Sequence, residues 1–478
     1  GVKQDLRFLP GLHRFQGRAP KNSVDRQMEA VEQIRKGQPG QLRACYDNLI
    51  DSSFFPAPQR RRGLDSETTF WAFLGQTLRN GSCRDGLQEV QAARAEAGLK
   101  PLSASTSSYC TARKERLSHE QLLGIHHSMG RQLEDSVGTD RLWRGRPIMA
   151  VDGTSVSLAD TPENQDHYPQ PTNQRAGCGF PVVQIVGLFG LGSAALLEYE
   201  ATPWNCHENG VFHGLGLIDQ VPEEAVLVQD RAYCTYVNFA HAAEHGFDLI
   251  ARLHQARERD LKKLLPKGCD DRVSDWKKPS DQVRPDYFDE QQWKALPETV
   301  PVRVVRLKLS CSGFRSQEII VATSLMDASL EEISELFLRR WEMEVSLGDL
   351  KTTLGMDDLR VRSPDMALKT IAMFMIAHNL IRWTMLQAAL HANTDLQRLS
   401  FKGTLDIIEH WKCGIHIREK PAERRAHWFR MLDLIAEDQN PHRPGRSEPR
   451  AKKRRPKKYQ LMTKPRHLMV TSPSRRQK

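Results

Sequence analysis

"PIMAVDGTSVSL", residues 147–158, is a short apolar run with β-branched side chains that gives way to small polar residues, the composition of a strand. The downstream segments keep the same grammar. "VVQIVGLFGLGSAALLEYEATPW" (182–204) reads as two strands around a Gly-Leu-Gly-Ser turn, "ENGVFHGLGLIDQV" (208–221) as a helix, and "EAVLVQDRAY" (224–233) as a buried strand that ends at its charge. Strand, strand, strand, helix, strand is the opening of an RNase H-like α/β fold, a mixed sheet with helices on its faces. "FDLIARL" (247–253) adds a strand. Residues 255–317 are irregular, with Pro, Asp and Lys scattered ahead of the strand-like "VPVRVVRLKLS" (300–310), so a β-rich insertion is expected before "EIIVATSL" (318–325) resumes the pattern. In this sheet order the first and fourth strands are neighbours. Asp152, in "AVDGT", and Asp230, in "LVQDRAY", are therefore placed to approach each other.

A third carboxylate comes from "FLRRWEMEVSLGDLKTTLG", residues 337–355. An α-helix advances about 100° per residue, so with Arg340 at zero, Glu344 falls at about 40°, Lys351 at about 20° and Phe337 at about 60°. The charges form one stripe. Trp341, Val345, Leu350 and Leu354 lie to either side, as expected of a polar strip set into a partly buried wall. An Arg/Glu pair on a solvated face is the plainer account of the same spacing, worth a few tenths of a kcal/mol. Clustered carboxylates repel one another and lose solvation unless hard divalent cations neutralise them. Two Mg²⁺ about 4 Å apart between such groups stabilise the entering and leaving oxygens of an in-line displacement at phosphorus, with water or a DNA 3′-hydroxyl as nucleophile.

The 478 residues suffice for several packed units. Lys and Arg number 69 against 59 Asp and Glu, a formal net charge of +10. The excess is concentrated in the tail. Residues 441–478 hold 14 Lys or Arg and one acid, Glu448, in a proline-punctuated run around "KKRRPKK" (452–458), a composition that builds no core and suits an arm laid along a polyanion. The nine cysteines form no CxxC pair, which argues against a disulfide framework or zinc ribbon and fits a reducing cytoplasm. Cys206, His207 and His213 are the nearest approach to a metal cluster and lack a second ligand pair. The most apolar segment, 371–390, is broken by His378, Asn379 and Arg382 and reads as a buried helix, with no membrane association expected. From 65 to 137 short helices succeed one another, with Ser118 and Gln121 in capping-box spacing. The helix carrying Arg113, Lys114 and Arg116 suits either a helix-turn-helix module or a plain bundle.

"DGT", "QDRAY" and "FLRRWEMEVSLGDLKTTLGMDDLR" together resemble bacterial insertion-sequence transposases of the DDE class, in the branch with the signature Y-(2)-R-(3)-E-(6)-K (insertion sequence family four). Here the signature falls on Phe337, Arg340, Glu344 and Lys351, with Phe in place of the usual Tyr. The resemblance implies a metal-binding catalytic triad of Asp152, Asp230 and Glu344, holding two Mg²⁺ per active site, with Mn²⁺ as a substitute. It implies DNA contacts from Arg340, Lys351, Arg231 and Phe337, and, in the N-terminal helices, from Arg113 and Lys114. Relatives cleave through a hairpin and stack a flipped base on aromatic rings, for which Trp276 and Trp293 are the candidates here. The expected partners are the terminal inverted repeats of the element, target DNA, and a second subunit in a homodimeric synaptic complex. The expected organisation is a helical DNA-binding region (1–145), an RNase H-like core in two parts (146–254 and 318–390) around the insertion (255–317), a helical C-terminal region (391–440) and the basic tail (441–478). The competing functions are an RNase H-like nuclease or resolvase, which shares the carboxylates, and a domesticated, non-catalytic DNA-binding protein.

Overall fold

The computed structural model describes residues 40–56, 63–253, 265, 268–308, 318–417, 420–441, 462–465 and 468–469; most of the basic tail lies outside the described residues. At the centre is β1 (Ile148–Leu158), whose side chains alternate between two cores: Ile148 and Ala150 enter one, Met149 and Val151 the other. β2 (Val182–Gly190) and β3 (Ala195–Pro203) pair with it in antiparallel succession. On its other side β4 (Val226–Gln229) and β5 (Asp248–Arg252) run parallel to it. The order β3-β2-β1-β4-β5, antiparallel then parallel, is that of an RNase H-like sheet. β6 (Asp271–Lys277), β7 (Thr299–Lys308) and β8 (Glu318–Thr323) extend the same sheet by antiparallel pairing, with β8 hydrogen-bonded to β5. Residues 271–308 therefore continue the sheet in the plane of its other strands. The two-residue β9 (Asp358–Leu359) pairs with the end of β1.

One face of the sheet carries α7 (Glu208–Gly214) and α8 (Tyr236–His245). The other carries α10 (Leu330–Gly348), which packs across β1, β4 and β5, and the 29-residue α11 (Pro364–Ala392). A full capping box starts α10: Ser329 Oγ accepts from the Glu332 backbone N–H and Glu332 returns the bond to the Ser329 N–H. The polar residues that interrupt the apolar run of α11 each have a task. The Asn379 side chain pairs with both the N–H (3.0 Å) and the carbonyl (2.8 Å) of Leu196, acting as an extra partner for β3. Arg382 reaches back to Asp349 (2.7 Å) and Ser346 (3.2 Å), and His378 stacks on Phe401. No helix among the described residues is long and apolar enough to cross a membrane.

The N-terminal helices α1 (Gly40–Tyr46), α2 (Ser66–Leu78), α3 (Cys83–Glu96), α4 (Ser107–Arg116) and α5 (His119–Asp135) lie against α11 and the C-terminal helices α12 (Phe401–Ile417) and α13 (Pro421–Glu437). Tyr46 makes this plain: its hydroxyl bonds to Thr384 Oγ1 (3.0 Å) while its ring meets Trp383 and Trp428 edge-on. Ser118 caps α5 by accepting from the Gln121 N–H, but the Gln121 side chain bonds to the Phe54 carbonyl and Ser66, so only half of the expected capping box forms.

Candidate active site

In the parallel pairing of β1 with β4, Val151 lies opposite Gln229, so the next residues, Asp152 and Asp230, emerge side by side. Neighbouring strands are about 4.8 Å apart, close enough for each carboxylate to feel the other. Asp152 shows it: burial, then the acids Glu208 and Asp230, push its carboxyl up to about 6, against the lowering effect of the Gly153 N–H bond and the Arg340 guanidinium. Asp230 sits at the N-cap of a short 3₁₀ turn, Arg231–Tyr233.

Glu344 and Arg340 come from α10, one turn apart and joined at 2.6 Å. Arg340 is largely buried, its Nε has no hydrogen-bond partner among the described residues, and its charge acts on Asp152. It thus serves as counter-charge to both Asp152 on the strand and Glu344 on the helix. The guanidinium lies 5.9 Å from the ring of Phe337, which is buried beneath the stripe as apolar packing. Lys351 sits in a π-helical turn, Asp349–Thr353, wider than an α-turn, and pairs with Asp357 at 3.2 Å. The wall around the stripe is one-sided. Leu350 and Leu354 are buried, but Trp341 and Val345 are 48% and 49% exposed on the other flank.

Two further groups at the site were not singled out from the sequence. Glu208, in the first turn of α7, points at the space beside Gly153: a Cβ built there would lie within 2.1 Å of Glu208 Oε1. Burial raises the Glu208 carboxyl, and Gln184 Nε2 donates to it at 3.2 Å. Tyr233 is fully buried near Glu208, Asp152 and Asp230, and burial together with these acids raises its phenol well above the usual value. The sequence signals were the glycine directly after Asp152, which makes room, and the aromatic that closes "QDRAY".

The other expected site residues differ in exposure. Arg231 is exposed beside Asp230, and Lys114 is exposed on α4. Arg113 is buried, its guanidinium 4.6 Å from the Phe73 ring and bonded to Cys83 Sγ, so it serves packing among the N-terminal helices and is not presented to a phosphate. Trp276 and Trp293 are 5% and 1% exposed in the second core. Trp276 packs edge-on against Phe239, and Trp293 donates to Asp281, so neither ring offers a face to a base without leaving its core. On the site's own helix, the aromatic ring open to solvent is Trp341.

With this geometry in place, the comparison with known families is direct: the transposase DDE domain matches residues 143–380, from the approach to β1 through most of α11. The chain belongs to the DDE transposases. It is similar to the transposase InsG for insertion sequence element IS4 of Escherichia coli K12, 25% identical over 416 residues and covering 84% of this chain and 88% of that protein. A probable transposase for insertion sequence element IS5377 of Geobacillus stearothermophilus is 27% identical over 276 residues, covering 56% of this chain and 66% of that protein. Among solved structures, the piggyBac transposase in its synaptic complex with hairpin DNA aligns at 9% identity with a TM-score of 0.41, covering 85% of this chain and 83% of that one. DDE transposases catalyse metal-dependent DNA strand cleavage and strand transfer, and the chemistry of this donor set fits a hard divalent cation: Asp152 leaves β1 beside Asp230 at the end of β4, and burial with the neighbouring acids already raises Asp152 to about 6.

Proposed function

We propose that this transposase acts on the terminal inverted repeats of its own insertion sequence, by cut-and-paste, with Asp152, Asp230 and Glu344 holding two Mg²⁺. The carrying observation is the register that sets Asp152 beside Asp230 under the helix bearing Glu344. Bound there, the ions supply Lewis-acid stabilisation of the charge that develops as an oxygen of water or a DNA 3′-hydroxyl bonds to phosphorus and the opposite P–O bond breaks. The protein's own groups do the rest. Arg340, paired with Glu344, would be free to hold a phosphate were Glu344 to hold a cation, and its unpartnered Nε supports that role. Arg231, exposed next to Asp230, and Lys351, in the turn after the helix of Glu344, hold neighbouring phosphates. Glu208 and Tyr233 lie close to the carboxylates, and the charge of Glu208 on Asp152 adds to the demand for a cation there. Two subunits pair the two ends in a homodimeric synaptic complex, as closed two-fold symmetry most simply allows, and the enzyme works in the cytoplasm.

The test is incubation with the DNA that flanks the gene, in Mg²⁺, scored for cleavage at the repeat ends. Alanine at Asp152, Asp230 or Glu344 is expected to abolish cleavage while end binding persists, because these groups hold metal and leave sequence readout untouched. Cleavage at the wild-type rate by any of the three variants removes that residue from the triad.

A further inference from the structure

Away from the carboxylates, on the same face of the sheet as α7, four side chains from three segments converge: His213 at the end of α7, Asp219 in the adjoining 3₁₀ turn, Ile218–Gln220, and His241 and His245 on α8. Among the described residues, Asp219, His241 and His245 form the one group of His, Cys, Asp or Glu whose ligand atoms all lie within 4.8 Å of one another. Cys206 and His207, grouped with His213 by sequence, do not join it.

The hydrogen bonds around the group set the tautomers. Asn238 Nδ2 donates to the Tyr233 carbonyl and to Asn209 Oδ1 (3.0 Å), so its Oδ1 faces His213 Nε2, which must donate. His213 Nδ1 is then an acceptor for His241 Nδ1 at 2.9 Å, which leaves the lone pair of His241 on Nε2. His245 Nδ1 donates to the His241 carbonyl at 2.9 Å, which leaves its Nε2 facing Asp219 Oδ1 at 3.4 Å. A lone pair and a carboxylate facing each other repel unless a cation lies between them. The bland occupant is a proton, which makes His245 and Asp219 an ordinary ion pair. Yet His241, whose Nδ1 proton is given to His213, has its ring centroid 4.1 Å from that of His245 and brings a second lone pair to the same group of ligand atoms.

We propose that Asp219, His241 and His245 form a two-histidine, one-carboxylate site for a divalent transition metal of the Zn²⁺ or Co²⁺ class, with solvent in the remaining positions. Histidines four apart on one helix face present both rings to one point, and imidazole with a single carboxylate favours such metals over Mg²⁺. His213 and Asn238 are positioning residues: His213 accepts the bond that orients His241, the arrangement usual for metal-bound histidine, and Asn238 fixes the His213 tautomer. The metal clips the turn after α7 to α8, and so braces the two segments whose opposite ends carry Glu208 and the Asp230 turn. The site is chemically distinct from the proposed catalytic carboxylates and stands or falls without them.

The test titrates untagged full-length protein with Co²⁺ alone and reads its ligand-field absorption, then competes with Zn²⁺. An Asp152→Ala/Asp230→Ala/Glu344→Ala variant isolates this site from the carboxylate cluster. One Co²⁺ per chain is expected in the triple variant, displaced by Zn²⁺ and not by Mg²⁺, and the wild type is expected to show the same Mg²⁺-resistant ion. His241→Gln, His245→Gln and Asp219→Asn are expected to weaken binding by about tenfold or more, and His213→Gln by about 10–100-fold. Asp219 is exposed, so Asp219→Asn remains informative if a histidine variant fails to fold. Absence of Co²⁺ binding by the wild type, binding that disappears with the three carboxylates, or binding indifferent to Asp219→Asn and His245→Gln each overturns the proposal.

Discussion

Asp152 carries a cost that its neighbours explain. Its carboxyl titrates at about 6 in the folded chain, above the value of about 3.9 it has when unfolded, because burial and the acids Glu208 and Asp230 outweigh Arg340. A raised carboxyl binds its proton more tightly in the native state, so the metal-free protein gains stability as pH falls from about 6 towards 4 and is penalised throughout the range above 6. Asp152→Asn is therefore expected to raise the metal-free melting temperature at pH 8, by the equivalent of on the order of 1–3 kcal/mol, with the advantage shrinking towards pH 4. Differential scanning calorimetry in a chelator at the two pH values checks this; an advantage independent of pH refutes the electrostatic account. The same titration makes cation binding weaken as pH falls through about 6, since a proton and the metal compete for one carboxylate.

At the scale of elements, the π-helical turn that ends α10 depends on α11. Arg382 is buried and bonded to Asp349, the first residue of the turn, yet burial holds the Asp349 carboxyl above its usual range in spite of that partner. The pair is thus a registration device more than a source of stability. Arg382→Met leaves Asp349 buried and unpaired and is expected to cost about 3–5 kcal/mol, while Arg382→Met/Asp349→Leu recovers most of it. Denaturant unfolding of the two variants measures the difference. Because Lys351 lies two residues beyond Asp349, the double variant is also expected to bind DNA ends more weakly despite its recovered stability. Equal end affinity in the double variant and the wild type separates the turn from DNA contact.

Across the whole molecule, charge is divided between a catalytic body and a basic tail. Deleting 441–478, with its 14 Lys or Arg, is expected to weaken end binding and flatten its salt dependence, by about 0.9 in slope for each duplex phosphate that the tail no longer neutralises. An unchanged slope makes the tail a bystander. Two-subunit action gives a second expectation at this scale. Mixing full-length Glu344→Ala with a tail-deleted subunit that keeps its carboxylates is expected to raise cleavage above that of either alone, one binding the end that the other cuts. Absence of rescue, with both proteins folded and associated, argues for cutting within one subunit.

How far the fold and the site are legible in the sequence depends on the range of the forces involved. Strand order and the pairing of β1 with β4 are readable because period-two hydrophobicity and turn residues are local signals, and the adjacency of Asp152 and Asp230 comes with that order. The stripe of Arg340 and Glu344 is readable from helical spacing, and the π-turn that sets Lys351 is not, because it is held by Arg382 from another helix. Which aromatic or basic side chain faces solvent is not readable either. Trp276, Trp293 and Arg113 have the chemistry of DNA contacts, and packing against Phe239, Phe288 and Phe73 turns them inward. Glu208 and the His213, His241 and His245 cluster meet their partners only across segments distant along the chain. Local pattern is enough for the strands, their order and the spacing of the carboxylates, since these rest on backbone geometry and the hydrophobicity of near neighbours. Which polar groups share a desolvated space is settled only when the chain is folded, because burial and charge coupling act between atoms close in space, however far apart they lie in sequence.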